Sequence, residues 1–164
     1  MMGVGKSTLG KIVAKKLNLK FIDIDSIIEK KYAMKIWEIF NSKGEGFFRL
    51  EEEKETLECL KKNNTVIALG GGAFMNKNIR NSVLKNSLSL WLDVSHKTIT
   101  NRVRWNKKRP LLKKENTEVA IKKIYFERKN TYKLANYKIN CNNLTKESIA
   151  KKIILFYENY KIKN

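Results

Sequence analysis

The chain has 164 residues, enough for one domain with a buried core, and its 42% hydrophobic and 10% aromatic content excludes intrinsic disorder. No apolar run approaches the ~18 residues of a membrane span. Thirty-five Lys and Arg against 16 Asp and Glu give a net charge of +19, the balance of a polyanion binder, yet only six of those cations are arginines and 29 are lysines. With 18 Asn and 17 Ile beside them, the lysines match the residues of A/T-rich codons, so the charge by itself requires no nucleic acid.

The elements alternate. Residues 6–16 read as a helix with Leu9, Ile12 and Val13 on one face, and 20–23 as a short strand. Residues 25–41 suit two short helices broken near Ala33; 46–61 repeats apolar residues at Phe47, Leu50, Leu57 and Leu60, a helical spacing. Residues 65–69 are a continuous apolar run ended by glycines, as a buried parallel strand requires. A strand at 87–93, a helix at 98–104, a Lys-rich loop at 105–116, a helix at 117–132, a strand at 137–141 and a closing helix at 146–160 with Ile149, Ile153 and Phe156 inward complete the chain. Such alternation predicts an α/β single domain over 1–164, with helices on both faces of a parallel sheet. The start has no signal-peptide layout, and Cys59 and Cys141 have no CxxC partner, which fits two structural thiols in a reducing cytoplasm.

The eight glycines gather at 3, 5, 10, 44, 46 and 70–72, so they are not loop filler. Gly3-Val4-Gly5-Lys6-Ser7-Thr8 opens the first helix: glycines let backbone N–H groups curl round an anion and the helix N-terminus adds positive potential. Lys6 would reach the terminal phosphates of a nucleotide and Ser7 would ligate Mg²⁺. The first glycine of the full G-x-x-x-x-G-K-[ST] pattern would fall one residue before Met1. The strand that delivers such a loop is missing too, so the start is expected about ten residues upstream.

The other half of the chemistry is carried by placed charges. Asp23 and Asp25 form D-x-D at a strand end, pointing the same way: one suits Mg²⁺ through water and the other an acceptor hydroxyl. Asp25 capping the helix at Ser26 is the structural alternative. Arg49, within Gly44-Glu45-Gly46-Phe47-Phe48-Arg49, and Arg128, on a stripe with Ile121, Tyr125 and Tyr132, suit a planar fork on a carboxylate or phosphate. Each could equally form an ion pair within the chain. Gly70-Gly71-Gly72 would let a ligand approach bare backbone, unless it is only a tight turn. Arg109, in Arg109-Pro110-Leu111-Leu112, could swing over the phosphates, and Arg102 could stack on a base. His96, the only histidine, fits a surface or helix-cap position.

In order, GxGKST (3–8), DxD (23–25), GExxFR (44–49), GGG (70–72), RPLL (109–112) and RxxxY (128–132) resemble the shikimate kinases, over essentially the whole chain. The resemblance implies a P-loop NTPase fold: a three-layer sandwich with a five-stranded parallel sheet, here lacking its first strand, substrate-binding helices at ~25–61 and a lid at ~105–116. It implies transfer of the ATP γ-phosphoryl group to the 3-hydroxyl of shikimate, on the route to chorismate and aromatic amino acids. Gly3, Val4, Gly5, Lys6, Ser7 and Thr8 would hold ATP, with Arg102 on the adenine side and Arg109 in the lid. Ser7 and Asp23 would hold Mg²⁺, and Asp25 would bind shikimate hydroxyls and help deprotonate the nucleophile. Arg49 and Arg128 would clamp the carboxylate beside Gly70, Gly71 and Gly72. Lys6, Asp25 and Arg109 would form the catalytic set. A monomeric cytoplasmic enzyme acting on a small molecule, with no nucleic-acid or membrane partner, is expected. The alternatives are a P-loop kinase of another small hydroxy acid such as gluconate, and a non-catalytic relative that binds a ligand or nucleic acid.

Overall fold

A computed structural model describes residues 1–103 and 116–163. Arg109 and the expected lid, apart from Asn116, lie outside the described residues. In chain order the elements are α1 (Lys6–Lys16), β1 (Lys20–Asp23), α2 (Ile24–Tyr32), α3 (Ile36–Leu60), β2 (Thr65–Ala68), a 3₁₀ turn (Ala73–Met75), α4 (Lys77–Asn86), β3 (Leu90–Asp93), α5 (His96–Val103), α6 (Thr117–Tyr132), β4 (Tyr137–Asn140) and α7 (Lys146–Lys163).

Local chemistry sets the boundaries. The Asp23 side chain accepts from Ser26 N at 3.3 Å and starts α2, so Asp23, rather than Asp25, is the cap. Ala33, left-handed at φ 50°, ends α2 at the expected break. The segment that follows, α3, is two helices joined across a kink. Gly44 (φ 82°, ψ 166°) is non-helical, a backbone that glycine adopts without a Cβ clash, and it falls between the expected helix end near residue 41 and the expected start at Gly46.

The stripe read on α3 is also displaced. Leu50 is 68% exposed, whereas Phe48, Glu52, Thr56 and Cys59 are buried. Two polar residues on the inner face hide its period from a hydrophobicity reading.

β1 pairs in parallel with β2 (Asp23 opposite Ala68), and β3 with β4 (Asp93 opposite Asn140). The described strands thus make two two-stranded parallel sheets in place of the expected five-stranded one. The physical reason lies between the pairs, where an apolar cavity of about 410 Å³ is lined by Val66 and Ala68 of β2, Leu90 and Leu92 of β3, and Leu9 and Val13 of α1. Among the described residues no strand ladder joins β2 to β3.

Two apolar clusters form. The larger joins α1, β3, β4 and α5 to α7 through Leu9, Val13, Trp91, Ile99, Ile121 and Ile139. The smaller, Ile24, Ile28, Ile39, Phe48 and Cys59, joins α2 to α3. Leu69 packs against both. His96 is not a free surface residue: its ring packs 6.1 Å from that of Tyr125 and 6.2 Å from that of Phe126. No described helix is long and apolar enough to cross a membrane.

Candidate active site

The carboxyl ends of β1 and β2 and the N-terminus of α1 meet at one place. Gly3 (φ 68°) and Gly5 (φ 94°) take left-handed conformations, which turn the loop so that α1 starts immediately after it. A side chain at Gly3 would also meet Val103 Cγ1 at 2.7 Å. The loop borders a cavity of about 290 Å³, faced by Gly5, Lys6, Ser7 and Thr8 and, across it, by Asp23, Asp25 and Gly71. Val4 points the other way, into the larger apolar cluster, so only its backbone is available to a ligand.

Lys6 Nζ donates to Met1 O at 2.7 Å. Ser7 Oγ donates to Asp23 Oδ2 at 2.5 Å, a hydroxyl and a carboxylate at the α1 N-terminus. Asp25 lies in the first turn of α2, so strand alternation does not align it with Asp23; the turn out of β1 does, and both face the cavity. Arg102 Nη1 reaches Gly3 O at 3.4 Å, beside the loop.

Beyond this cavity, Gly70 to Gly72 run between two arginines from different helices. Arg128 of α6 donates to Gly71 O at 2.6 Å, and Tyr132 Oη donates to the same oxygen at 2.6 Å. From α3, the Arg49 guanidinium lies against Gly72, where an added Cβ would stand 2.8 Å from Nη1. Arg49 is held by two carboxylates: Nη1 donates to Glu52 at 2.6 Å, while Nε and Nη2 donate to one Glu45 oxygen at 3.1 and 2.9 Å.

Glu52 is 2% exposed, and its Oε1 has no hydrogen-bond partner among the described residues. A Cβ on Gly70 would collide with that oxygen and stand 3.0 Å from Asp25 Oδ1. The space beside Gly70 and Gly72 is therefore taken by side chains of the site itself, and that beside Gly71 by the backbone of Met1 and Met2. Burial raises the Glu52 carboxyl above its ordinary pKa, with the Asp25 charge adding to the effect and Arg49 and Arg128 opposing it. Tyr132 is likewise pushed up by burial.

The structure brings together Gly3, Gly5, Lys6, Ser7, Thr8, Asp23, Asp25, Arg49, Gly70 to Gly72 and Arg128, with Arg102 at the edge. Sequence reasoning missed Glu45, Glu52 and Tyr132 as site residues. The available signal was spacing: Glu45 and Glu52 lie one helical turn either side of Arg49, and Tyr132 one turn beyond Arg128.

The arrangement can receive a polyphosphate and a divalent cation on one side of Gly71 and a small anionic acceptor on the other. The family model for shikimate kinase (SKI) matches residues 2–158. The chain belongs to the shikimate kinase family. It is 45% identical over 153 residues to the shikimate kinase of Sulfurihydrogenibium sp., covering 93% of this chain and 91% of that protein. The shikimate kinase of Bacillus subtilis is 42% identical over 155 residues, covering 93% and 83%. Among solved structures, shikimate kinase from Acinetobacter baumannii in complex with shikimate superposes with a TM-score of 0.92 at 31% identity, covering 98% of this chain and 90% of that one. The shikimate kinase of Aquifex aeolicus superposes with a TM-score of 0.85 at 31% identity, covering 100% and 96%. As a shikimate kinase, the protein is an ATP-dependent enzyme with an α/β fold.

Proposed function

We propose that the protein transfers the γ-phosphoryl group of ATP to the 3-hydroxyl of shikimate, giving 3-phosphoshikimate for aromatic amino-acid biosynthesis. The observation that carries this reading is the placing of Arg49 and Arg128, from separate helices, on either side of Gly70 to Gly72 and next to the glycine loop. Such a pair suits the carboxylate of a small acid.

The loop amides and Lys6 hold the terminal phosphates. Ser7 and Asp23 fit Mg²⁺, since adjacent hydroxyl and carboxylate oxygens are hard donors and phosphates and water can fill the other positions. Bound there, the ion would neutralise charge on the phosphate oxygens. Asp25 orients the acceptor hydroxyl and receives its proton. Arg102 serves the adenine side, and Arg109 is the lid cation. Phosphoryl transfer needs little else, because most of its catalysis is positioning and charge stabilisation.

The sheet in this reading has five strands, a further one lying between β2 and β3 where the 410 Å³ cavity separates the two pairs. The protein works as a monomeric single domain in the cytoplasm; Cys59 and Cys141 are both free and buried, which suits a reducing compartment.

The test is ADP release measured with shikimate, quinate and gluconate as acceptors, with mass-spectrometric identification of the product. Turnover with shikimate above the other two is expected, and preference for gluconate overturns the reading. Arg128→Lys should raise the KM for shikimate by more than about tenfold and leave the KM for ATP unchanged, because a point charge does not replace a planar fork.

A further inference from the structure

Arg49 presents its Nε–Nη2 edge to an anion that the chain itself supplies. One Glu45 oxygen accepts from both nitrogens, at 3.1 and 2.9 Å, the contact an incoming carboxylate would make with the same edge. We propose that Glu45 is an internal stand-in for the substrate carboxylate: it occupies this edge of Arg49 and yields it when shikimate binds. Glu45 thereby sets the affinity of the acceptor site for a carboxylate. The inference rests on the proposed function, since it takes shikimate as the displacing anion.

The two acidic partners of Arg49 are built differently. Glu52, with its side chain 2% exposed, holds Nη1 at 2.6 Å from the helix interior and has nowhere else to go. Glu45 is 51% exposed, and among the described residues its side chain hydrogen-bonds to the arginine alone.

The backbone around Glu45 also leaves it room. It follows the break in α3 at Gly44, and, chain neighbours and the helix's own nearby backbone aside, no described atom lies within 4 Å of where a Cβ would stand on Gly44 or Gly46. Arg49 itself is fixed from two further sides. Its guanidinium lies against the Gly72 backbone, and its Cζ is 5.2 Å from the centre of the Phe48 ring. An exchange of anions therefore moves Glu45 and leaves the arginine in place. The affinity gained from substrate is then the difference between two carboxylates on one edge, not the full strength of one.

Removal of the stand-in gives a sign that a supporting role cannot give. In the full chain, Glu45→Gln and Glu45→Ala should bind shikimate about two to five times more tightly by calorimetry, the range set by loss of one partly exposed ion pair. The KM for ATP should stay the same, and so should binding of the shikimate analogue whose carboxylate is reduced to an alcohol. If Glu45 only steadies Arg49, both variants bind shikimate more weakly; that result, or unchanged affinity, overturns the proposal. The unchanged protein is the control for the underlying reading: absence of both shikimate binding and turnover there overturns the proposed function and this inference together. Normal turnover with weaker binding in the variants overturns the inference alone.

Discussion

Glu52 is the residue whose chemistry is most altered by its surroundings. It sits between Arg49 and Gly70 with one oxygen on Arg49 and the other without a hydrogen-bond partner among the described residues, and burial raises its pKa above the ordinary 4.5. The native state therefore holds this proton to higher pH than the unfolded chain does. Its contribution favours folding at low pH and is lost as pH rises through the native pKa. The stability of the unchanged protein relative to Glu52→Gln is expected to fall as pH rises from about 4.5, because glutamine keeps the shape but carries no charge to desolvate. Urea titrations of both proteins at several pH values check this, and a difference that does not vary with pH refutes it. Gly70 belongs to the same arrangement, since the space its missing side chain leaves is taken by Glu52 and Asp25.

At the scale of elements, α3 is the member that connects the site to the rest of the fold. Lys31 of α2 joins Glu51 and Glu55 of α3 at 2.6 and 2.7 Å. On the other side, Glu53 accepts from the side chains of Asn76 and Asn78, both at 2.7 Å. Asn76 is doubly used: its Oδ1 also accepts from the backbone N–H of Asn78 and Ile79 at 2.8 and 3.1 Å, capping α4 just after the glycine triplet. Asn76→Ala should lose about 1–2 kcal/mol of stability, with a lower denaturation midpoint and an unchanged slope, for loss of the cap and one hydrogen bond.

Much of this order was legible in the sequence. The glycine loop, the Asp23 strand end, the Ala33 break and the helices carrying Arg49 and Arg128 all follow from period and punctuation. What was not legible depends on burial. The inner face of α3 carries Glu52 and Thr56 where an apolar period expects leucine, so its true orientation is set by the arginine it serves. That Asp23 and not Asp25 caps α2 was not legible, because the extent of a four-residue strand is uncertain by more than the one residue that decides it. Glu45 was present in the quoted motif, yet which of an arginine's neighbours holds it is a matter of rotamers that spacing alone does not fix.

Across the whole molecule, the net charge of +19 has few acidic groups to offset it. The pairs that do form are concentrated on α2 and α3, where Lys31, Lys35, Arg49 and Lys61 meet glutamates. Most of the other described lysines are exposed, and like charges over one surface repel as compaction brings them closer. Raising NaCl from about 20 to 200 mM shortens the screening length from roughly 20 Å to below 10 Å, and the melting temperature is expected to rise by a few degrees. A fall in melting temperature would mean that the glutamate pairs outweigh the repulsion.

Leu69 packs against both apolar clusters, and Gly70 to Gly72 follow it directly in the chain. Arg128 projects from a helix whose Ile121 and Tyr132 belong to the larger cluster, and Arg49 from a helix whose Ile39 and Phe48 belong to the smaller. On the proposed function, the two grips on the substrate carboxylate are carried by different cores, so a substitution that loosens either core reaches the site through the arginine that core carries.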